Sequence, residues 1–436
     1  MSGPRRELGP VHATGIVIGA IVGVGIFFTP AKVAGIAGSA DGAMALWALG
    51  GAIALAGAFT FAALGRRFPE SGGELVALRR LWGPLPAFLF GWSLIGAIQT
   101  GVLALIAIFG AQNLGKALGM EWSGAESSAA ATAMIVLLAA VNLTGVKPGA
   151  WIQTTTSAVK VLLLLILAAL AAWAITTGHE PTPPATPSDG RIFSTVSSPW
   201  LAGLAATLFS YGGFHQLTWV GGEVRRPERT IPFAIVLGVC IVVAGYLTAN
   251  AAYFALLPVE TVAASGSVAA DAVATVLPGI GRAAALALAI SAFGIANSQM
   301  LTAPRAYFAL AQEGLFPQAL ARLDARRGVP NAAILLQAAL AIAMLWLAGA
   351  NSLEKLTTGV VFVDWIFHMI AAAGLLRIGV ARLPAGIFIS GAAIGLGATF
   401  WDANVRAASL LGCSWIALGI VVFFAAVRPR IRQRFS

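Results

Sequence analysis

Long stretches of the chain carry no Asp, Glu, Lys or Arg. They cover 8–31, 42–65, 81–115, 127–146, 161–178, 192–222, 230–259, 283–304, 328–353, 383–401 and 407–427, and one more, 356–376, is interrupted only by Asp364. A helix crosses the hydrocarbon core of a bilayer in about 20 apolar residues, so the pattern predicts twelve membrane-spanning helices. The stretches do not alternate apolar and polar positions, which argues against strands of a transmembrane barrel. The 81–115 stretch exceeds one crossing, and its helix is expected to begin in the loop at Pro84–Pro86. The longest connection on the outer side, Thr177–Pro199, is rich in Pro, Thr and Ser and reads as an irregular loop. Residues 258–282 carry few charges and read as a short helix over the outer face. The first apolar stretch is too long for a secretory signal peptide and lacks its cleavage site. No second soluble domain is expected.

Composition sharpens this. Hydrophobic residues make up 58% of the 436 positions and charged residues 10%, against about 25% charged in soluble domains. A soluble fold of this size cannot bury so much apolar surface. Two cysteines exclude a disulfide scaffold, and Cys240 and Cys413 both fall inside predicted spans. The net charge of +10 is a matter of topology rather than of nucleic acid. With the N-terminus inside, 20 of the 27 Lys and Arg residues fall in the inner loops, Arg66, Arg67, Arg79, Arg80, Arg225 and Arg226 among them. The outer loops hold one each: Lys116, Arg191, Arg282, Lys355 and Arg406. Basic residues collect in cytoplasmic loops, so both termini are expected in the cytoplasm, in a multi-pass protein of the cell's inner (plasma) membrane.

Two spans have unusual centres. The first contains Gly19, then Gly23-Val24-Gly25-Ile26-Phe27; the sixth contains Phe209-Ser210-Tyr211-Gly212-Gly213-Phe214. Glycines in membrane helices often serve close packing. The alternative is that both helices unwind here, since irregular backbone at membrane depth is tolerated where it lines a cavity. A broken helix offers free N–H groups to an anion at the start of its second half, and free carbonyls to a cation at the end of its first half. Two such breaks facing each other would hold a zwitterion with no charged side chain. Breaks in the first and sixth spans fit a five-plus-five inverted repeat with its site at the midplane.

At these residues the chain resembles a family. Gly23 to Phe27 resembles the Gly-Ser-Gly-Ile-Phe signature of the amino acid–polyamine–organocation transporters. The stretch Phe209 to Phe214, with Gly222 to Pro232, resembles the sixth span and following loop of the L-type amino acid exchangers. Pro69 to Glu74, Asn142 to Lys147, and Ser291 to Pro317 with Asn297 and Arg305 resemble further motifs in the same order. The resemblance implies an all-α fold (the APC, or LeuT-like, fold) with inverted repeats at about 11–178 and 192–380, and accessory spans at about 383–427. It implies an amino acid as cargo. It places the substrate carboxylate at the amides of Val24, Gly25 and Ile26, and the amine at carbonyls of Ile21, Phe209, Ser210 and Gly212. Gly23, Tyr211 and Gly213 complete the site, and Phe209 becomes an aromatic lid. Two residues depart from the pattern: Val24 replaces the signature serine, and Phe214 stands where mammalian exchangers usually have tryptophan.

Lys160 lies in the fifth span, just before an apolar run. A lysine at membrane depth is costly and usually functional; a lysine that snorkels to the interface is the plain alternative. The resemblance puts its ammonium near Gly19 and Ser291, in the space that sodium fills in related carriers, which implies sodium independence. An amine that released its proton in one state would couple transport to that proton. One that stayed charged would only latch the helices and leave exchange. Other residues carry weaker expectations. Glu223 and Arg305 are candidates for an inner gate. Asp364 is either functional or a packing contact. His215 and His368 read as packing histidines, and Glu70 and Glu74 as charges of a basic loop. No metal-ligand spacing, phosphate loop or nucleophile elbow is present, and no cofactor is expected.

The chain therefore reads as a sodium-independent carrier of neutral L-amino acids that works by exchange and alternating access. A proton-coupled symporter, or a polyamine or cationic amino acid carrier, is the alternative. A channel lacks its polar stripe, and a membrane-embedded enzyme lacks paired catalytic groups. Animal L-type light chains bond to a heavy chain through a cysteine between the third and fourth spans. Residues 112–127 contain none, so no disulfide-linked heavy chain is expected, and a monomer is one open reading.

Overall fold

The computed structural model describes residues 4–23, 25–178, 180–182, 200, 202–277, 279, 281–399 and 403–429. Among them the chain is almost entirely helical. Helix α1 (Pro10–Ile21) begins with proline at a position where its missing N–H removes no helical bond. After a short interruption α2 follows (Gly25–Ala37). Helix α3 (Ala40–Arg67) is capped by Ser39, whose hydroxyl accepts the Gly42 amide at 3.1 Å. It ends on Arg66 and Arg67, which complement the negative end of the helix dipole. The amphipathic α4 (Gly73–Trp82) leads into α5 (Pro84–Ser93), a π-type turn at Leu94–Ile98 and α6 (Gln99–Leu118). Those three make one apolar crossing from Pro84, where it was expected to start.

Helix α7 (Gly124–Leu143) starts with a reciprocal cap. The Glu126 amide donates to Ser123 Oγ (3.2 Å) and the Ser123 amide to Glu126 Oε2 (2.7 Å). Helix α8 (Val146–Thr177) carries Lys160 near its middle. The sixth expected span is again split, into α9 (Ala202–Tyr211) and α10 (Gln216–Trp219). Beyond it are α11 (Pro227–Leu256), two short helices α12 (Val259–Ala264) and α13 (Val268–Val276), and α14 (Gly281–Gln312). The short pair occupies the stretch expected to lie over one face. The chain continues with α15 (Asn331–Arg377), α16 (Arg382–Thr399) and α17 (Ala403–Val422).

One expectation changes here. The separate spans expected at 328–353 and 356–376 meet a single helical run of 47 residues. At 1.5 Å per residue it is about 70 Å long, more than twice the roughly 30 Å of a hydrocarbon core, so it is not one simple crossing. Seven described helices are long and apolar enough to cross a membrane, and three shorter apolar helices accompany them. That makes a multi-pass membrane protein, while the count of twelve goes beyond what these helices establish.

The packing is organised around the split helices. Helix α3 lies along α11 and α6 along α14, the two most extensive helix pairings. Helix α1 is wedged between α8 and α11, and α2 packs on α9. Both interrupted spans therefore sit inside the bundle, where neighbouring helices cover backbone that lipid cannot satisfy.

Candidate functional site

The first break forms where Val22 leaves helical geometry at φ −69°, ψ 94°. Helix α2 restarts at Gly25, and its first amides, Gly25 and Ile26 among them, lack carbonyl partners within the helix. Val24, just before Gly25, lies outside the described residues. The second break follows Tyr211 and runs through Gly212 and Gly213 to His215. Gly213 has φ +112°, a conformation that a side chain opposes.

The two breaks touch. A Cβ on Gly213 would lie 2.7 Å from the carbonyl oxygen of Ala20, and one on Gly25 would lie 2.9 Å from Ser210 Oγ. Only glycine permits these approaches. The structure therefore brings Gly25 against Ser210, and Gly213 against Ala20 and Ile21. Phe209 is next to them with its side chain 50% exposed. Two of the carbonyls expected to meet an amine already accept a bond. Ile21 O takes the Tyr246 hydroxyl at 3.0 Å, and Phe209 O takes the Gly212 amide at 3.2 Å. A carbonyl has a second lone pair, so both still have one to offer. The Tyr211 side chain, in contrast, is turned into the bundle. It is 1% exposed, and its hydroxyl donates to Trp47 O at 3.2 Å. Phe214 is also internal, edge-on to Phe61 with ring centres 5.5 Å apart.

Sequence reasoning did not find Tyr246 or Trp365. Tyr246 follows no motif and reaches the first break from α11. Trp365, on α15, faces the Gly212 position from 3.9 Å and stacks on Phe388.

Lys160 does not snorkel. It is 1% exposed, and its ammonium donates to Gly19 O at 3.2 Å. The same nitrogen lies 3.4 Å from where a Cβ on Gly294 of α14 would be. Ser291, one turn earlier on α14, is buried, and its hydroxyl has no hydrogen-bond partner among the described residues. The lysine thus meets the expected helices, but through Gly19 and the Gly294 surface rather than through Ser291. Around it Ser157 donates to Gly15 O (2.8 Å). Asn297 donates to Gly149 O (2.8 Å) and Gln153 Oε1 (3.1 Å). Asn297 is therefore a strut joining α14 to α8.

At the arginine-rich end the bundle is shut. Arg305 Nε and Glu223 Oε1 form an ion pair at 3.1 Å, with the side chains 1% and 2% exposed. The chain before α1 seals it further. The amides of Glu7 and Leu8 donate to Glu223 O at 2.8 and 2.9 Å, and the Arg225 amide donates to Leu8 O at 2.8 Å. Above the pair, Gln216 Oε1 accepts from Ser298 (3.3 Å) and Thr302 (3.1 Å), and its Nε2 donates to Gln299 (3.2 Å).

Two residues expected to be unremarkable, Glu74 and His368, prove otherwise. Glu74 is fully buried rather than a solvated loop charge, and its Oε1 lies 2.6 Å from His368 Nδ1. His368 Nε2 lies 3.3 Å from Asp364 Oδ2. The His215 ring lies tilted against His368, with ring centres 4.0 Å apart and planes at 45°. The reading of His368 as a plain packing histidine is corrected, since a carboxylate faces each of its ring nitrogens; His215 packs among Phe61, Phe214, Trp219 and His368. Glu70 stays at the surface, paired with Arg80.

A family model described as "Amino acid permease" matches residues 8–435. The serine/threonine exchanger SteT of Bacillus subtilis (strain 168) is 28% identical over 379 residues, covering 85% of this chain and 82% of its own. The human b(0,+)-type amino acid transporter 1 is 27% identical over 376 residues, covering 85% of this chain and 76% of its own. The human large neutral amino acids transporter small subunit 2 is 28% identical over 380 residues, with coverage of 85% and 69%.

Proposed function

The chain belongs to the amino acid permease family, and from that premise we propose that it exchanges neutral L-amino acids across the membrane without sodium. The observation that carries this is the contact of two broken helices, Gly25 against Ser210 and Gly213 against Ala20. The free amides at Gly25 and Ile26, with Val24 before them, hold the substrate carboxylate. Carbonyls of Ile21, Phe209, Ser210 and Gly212 hold its ammonium. Charge is met by peptide dipoles, so a neutral side chain suffices for the cargo. Phe209, half-exposed beside the break, closes over it. Exchange is the activity in the printed name of the B. subtilis relative, and neutral cargo appears in two of the names.

Lys160 takes the place of a coupling cation by bridging α8 to α1 beside α14. The arginine clusters favour a cytoplasmic position for the shut end, with Glu223–Arg305 as its inner gate. Helices α1, α2, α3, α9, α10 and α11 would rock against α6, α7, α14 and α15. The pairing of α3 with α11, and of α6 with α14, suits a five-plus-five repeat in which each pair consists of equivalent spans. Cys240 and Cys413 are free, and neither lies between the third and fourth spans, so the carrier works without a disulfide-linked heavy chain.

The test is transport in proteoliposomes loaded with labelled serine. Efflux that requires an external neutral amino acid and ignores sodium is the expected result. Uptake into empty vesicles driven by an imposed pH gradient, with no need for internal substrate, would replace exchange by proton symport.

A further inference from the structure

A polar cluster lies buried beside the transport path, and nothing proposed above uses it. Its members come from three distant parts of the chain: Glu74 at the start of α4, His215 just after the second break, and Asp364 with His368 on α15. One ligand atom each from Glu74, His215 and His368 falls within 4.8 Å of the other two. Those three residues are 0%, 3% and 2% exposed. From this arrangement we propose that Glu74, His215 and His368 form a binding site for a divalent transition ion of zinc's class, with Asp364 as its positioning residue.

The chemistry of the donors supports the assignment. Two imidazoles and a carboxylate suit zinc-class ions and leave a fourth coordination position for water. Asp364 Oδ2 stands 3.3 Å from His368 Nε2. That is the carboxylate–histidine pairing that fixes a metal-binding imidazole, keeping a proton on the far nitrogen and freeing the near one. The near nitrogen, Nδ1, is the one that faces Glu74. Both ring nitrogens of His215 are buried with no hydrogen-bond partner among the described residues, as is Asp364 Oδ1. A buried polar atom left without a partner is destabilising, and a metal ion at this place satisfies one of the His215 nitrogens directly.

The surroundings make a dry cage. Phe61 stands edge-on to His368 at 5.5 Å, Phe90 does so at 5.9 Å, and Trp219 flanks His215 at 5.0 Å. Asp364, with its side chain 15% exposed, is the least buried member. Ligand atoms around a tetrahedral ion with bonds of about 2.0–2.1 Å stand roughly 3.3–3.5 Å apart. Donor atoms as much as 4.8 Å apart must therefore close by up to about 1.4 Å, while the 2.6 Å contact between Glu74 and His368 must open to admit the ion; His215, next to Gly212 and Gly213, supplies the inward movement.

Binding is a proton exchange. As it stands, His368 has a carboxylate oxygen opposite each ring nitrogen, which an imidazolium satisfies with both N–H groups. The ion takes the Nδ1 lone pair and one Glu74 oxygen, one proton leaves to solvent, and the Nε2 proton stays on its bond to Asp364. The pair of carboxylates then balances the charge of the ion. Such an ion would tie α4, the second break and α15 together next to the inner gate.

The site stands apart from the transport reading, and its test needs no transport. Purified full-length protein in detergent is titrated with zinc chloride, and separately with cobalt(II), whose visible absorption reports tetrahedral coordination. One equivalent is expected to bind saturably. Cobalt should develop intense bands and be displaced by zinc, and about one proton should be released per ion. His215→Asn and Glu74→Gln should each abolish the bands. Asp364→Asn should weaken binding by roughly 10- to 100-fold while keeping the bands. A wild-type protein with no saturable binding and no tetrahedral bands overturns the proposal, whatever the variants do; the four residues are then a proton-holding polar cluster only. Bands that persist in both His215→Asn and Glu74→Gln overturn it as well.

Discussion

Lys160 donates to the backbone carbonyl of Gly19 at 3.2 Å, clamping the middle of α8 to the helix that leads into the first break. The contact is fully buried, and Gly19 has no side chain to hold it off. A hydrogen bond from a charged group contributes about 1.5–3 kcal/mol, so its loss should be felt in any step that moves α1. Lys160→Ala is expected to lower exchange at least about tenfold, on the same arithmetic, with the protein still recovered as a monodisperse species. Labelled-serine exchange at matched protein density reads this directly. Wild-type rates in that variant would remove Lys160 from the mechanism.

Gly213 provides a second handle because two independent constraints meet there. Its φ of +112° disfavours any side chain, and a Cβ would sit 2.7 Å from Ala20 O, an atom of backbone that cannot swing aside. Gly213→Ala should therefore cost about 1–3 kcal/mol through backbone strain and prise the two breaks apart. The expected outcome is a lower Tm together with loss of the Tm increase that substrate gives the wild type. Gly386→Ala is the matched control, since nothing lies within 4 Å of the added methyl. An equal effect at both positions would mean that the break contact has no special role.

How much of this could be read from the chain follows from where the signals lie. The glycines of the interrupted spans were legible only as one of two readings, close packing or unwinding; their matching places in the first and sixth spans favoured the second. Lys160 was legible as a charge amid apolar residues. The histidine–carboxylate cluster was not. Glu74 and His368 are 294 positions apart, and Glu74 sits in a basic segment that reads as solvated until α4 is seen folding under the bundle. The chain before α1 was missed because Glu7 and Leu8 act through backbone bonds that have no residue signature. The expected division near 353–356 rested on the charged pair Glu354 and Lys355. Polar side chains do not forbid helical hydrogen bonding, and the backbone runs on through them.

The inner gate makes a prediction about coupling rather than loss. Arg305 and Glu223 are both buried, so removing either strands the other charge at a cost of about 3–5 kcal/mol. Arg305→Met alone and Glu223→Leu alone should each lower Tm sharply and leave the inner end loosely shut. The double variant replaces the pair by apolar groups and should recover much of that Tm, because a well-packed apolar pair is often as stable as a buried ion pair. Tm additivity across the cycle would show that the 3.1 Å contact carries no coupling energy.

Leu8 tests whether the chain before α1 belongs to the gate. Its amide donates to Glu223 O at 2.9 Å, its carbonyl accepts from Arg225, and its side chain is fully buried. Leu8→Pro removes the amide donor; Leu8→Ala removes apolar contact but keeps the donor. If the backbone bond is what holds the inner end shut, proline should speed hydrogen exchange across residues 216–226 more than alanine does. Exchange in that segment reports local opening rather than global stability. Substrate should slow it in both variants, because a ligand that fits the state shut at this end draws the population back toward it. Equal exchange in the two variants would assign the clamp to the leucine side chain. Unchanged exchange in both would detach the segment from the gate.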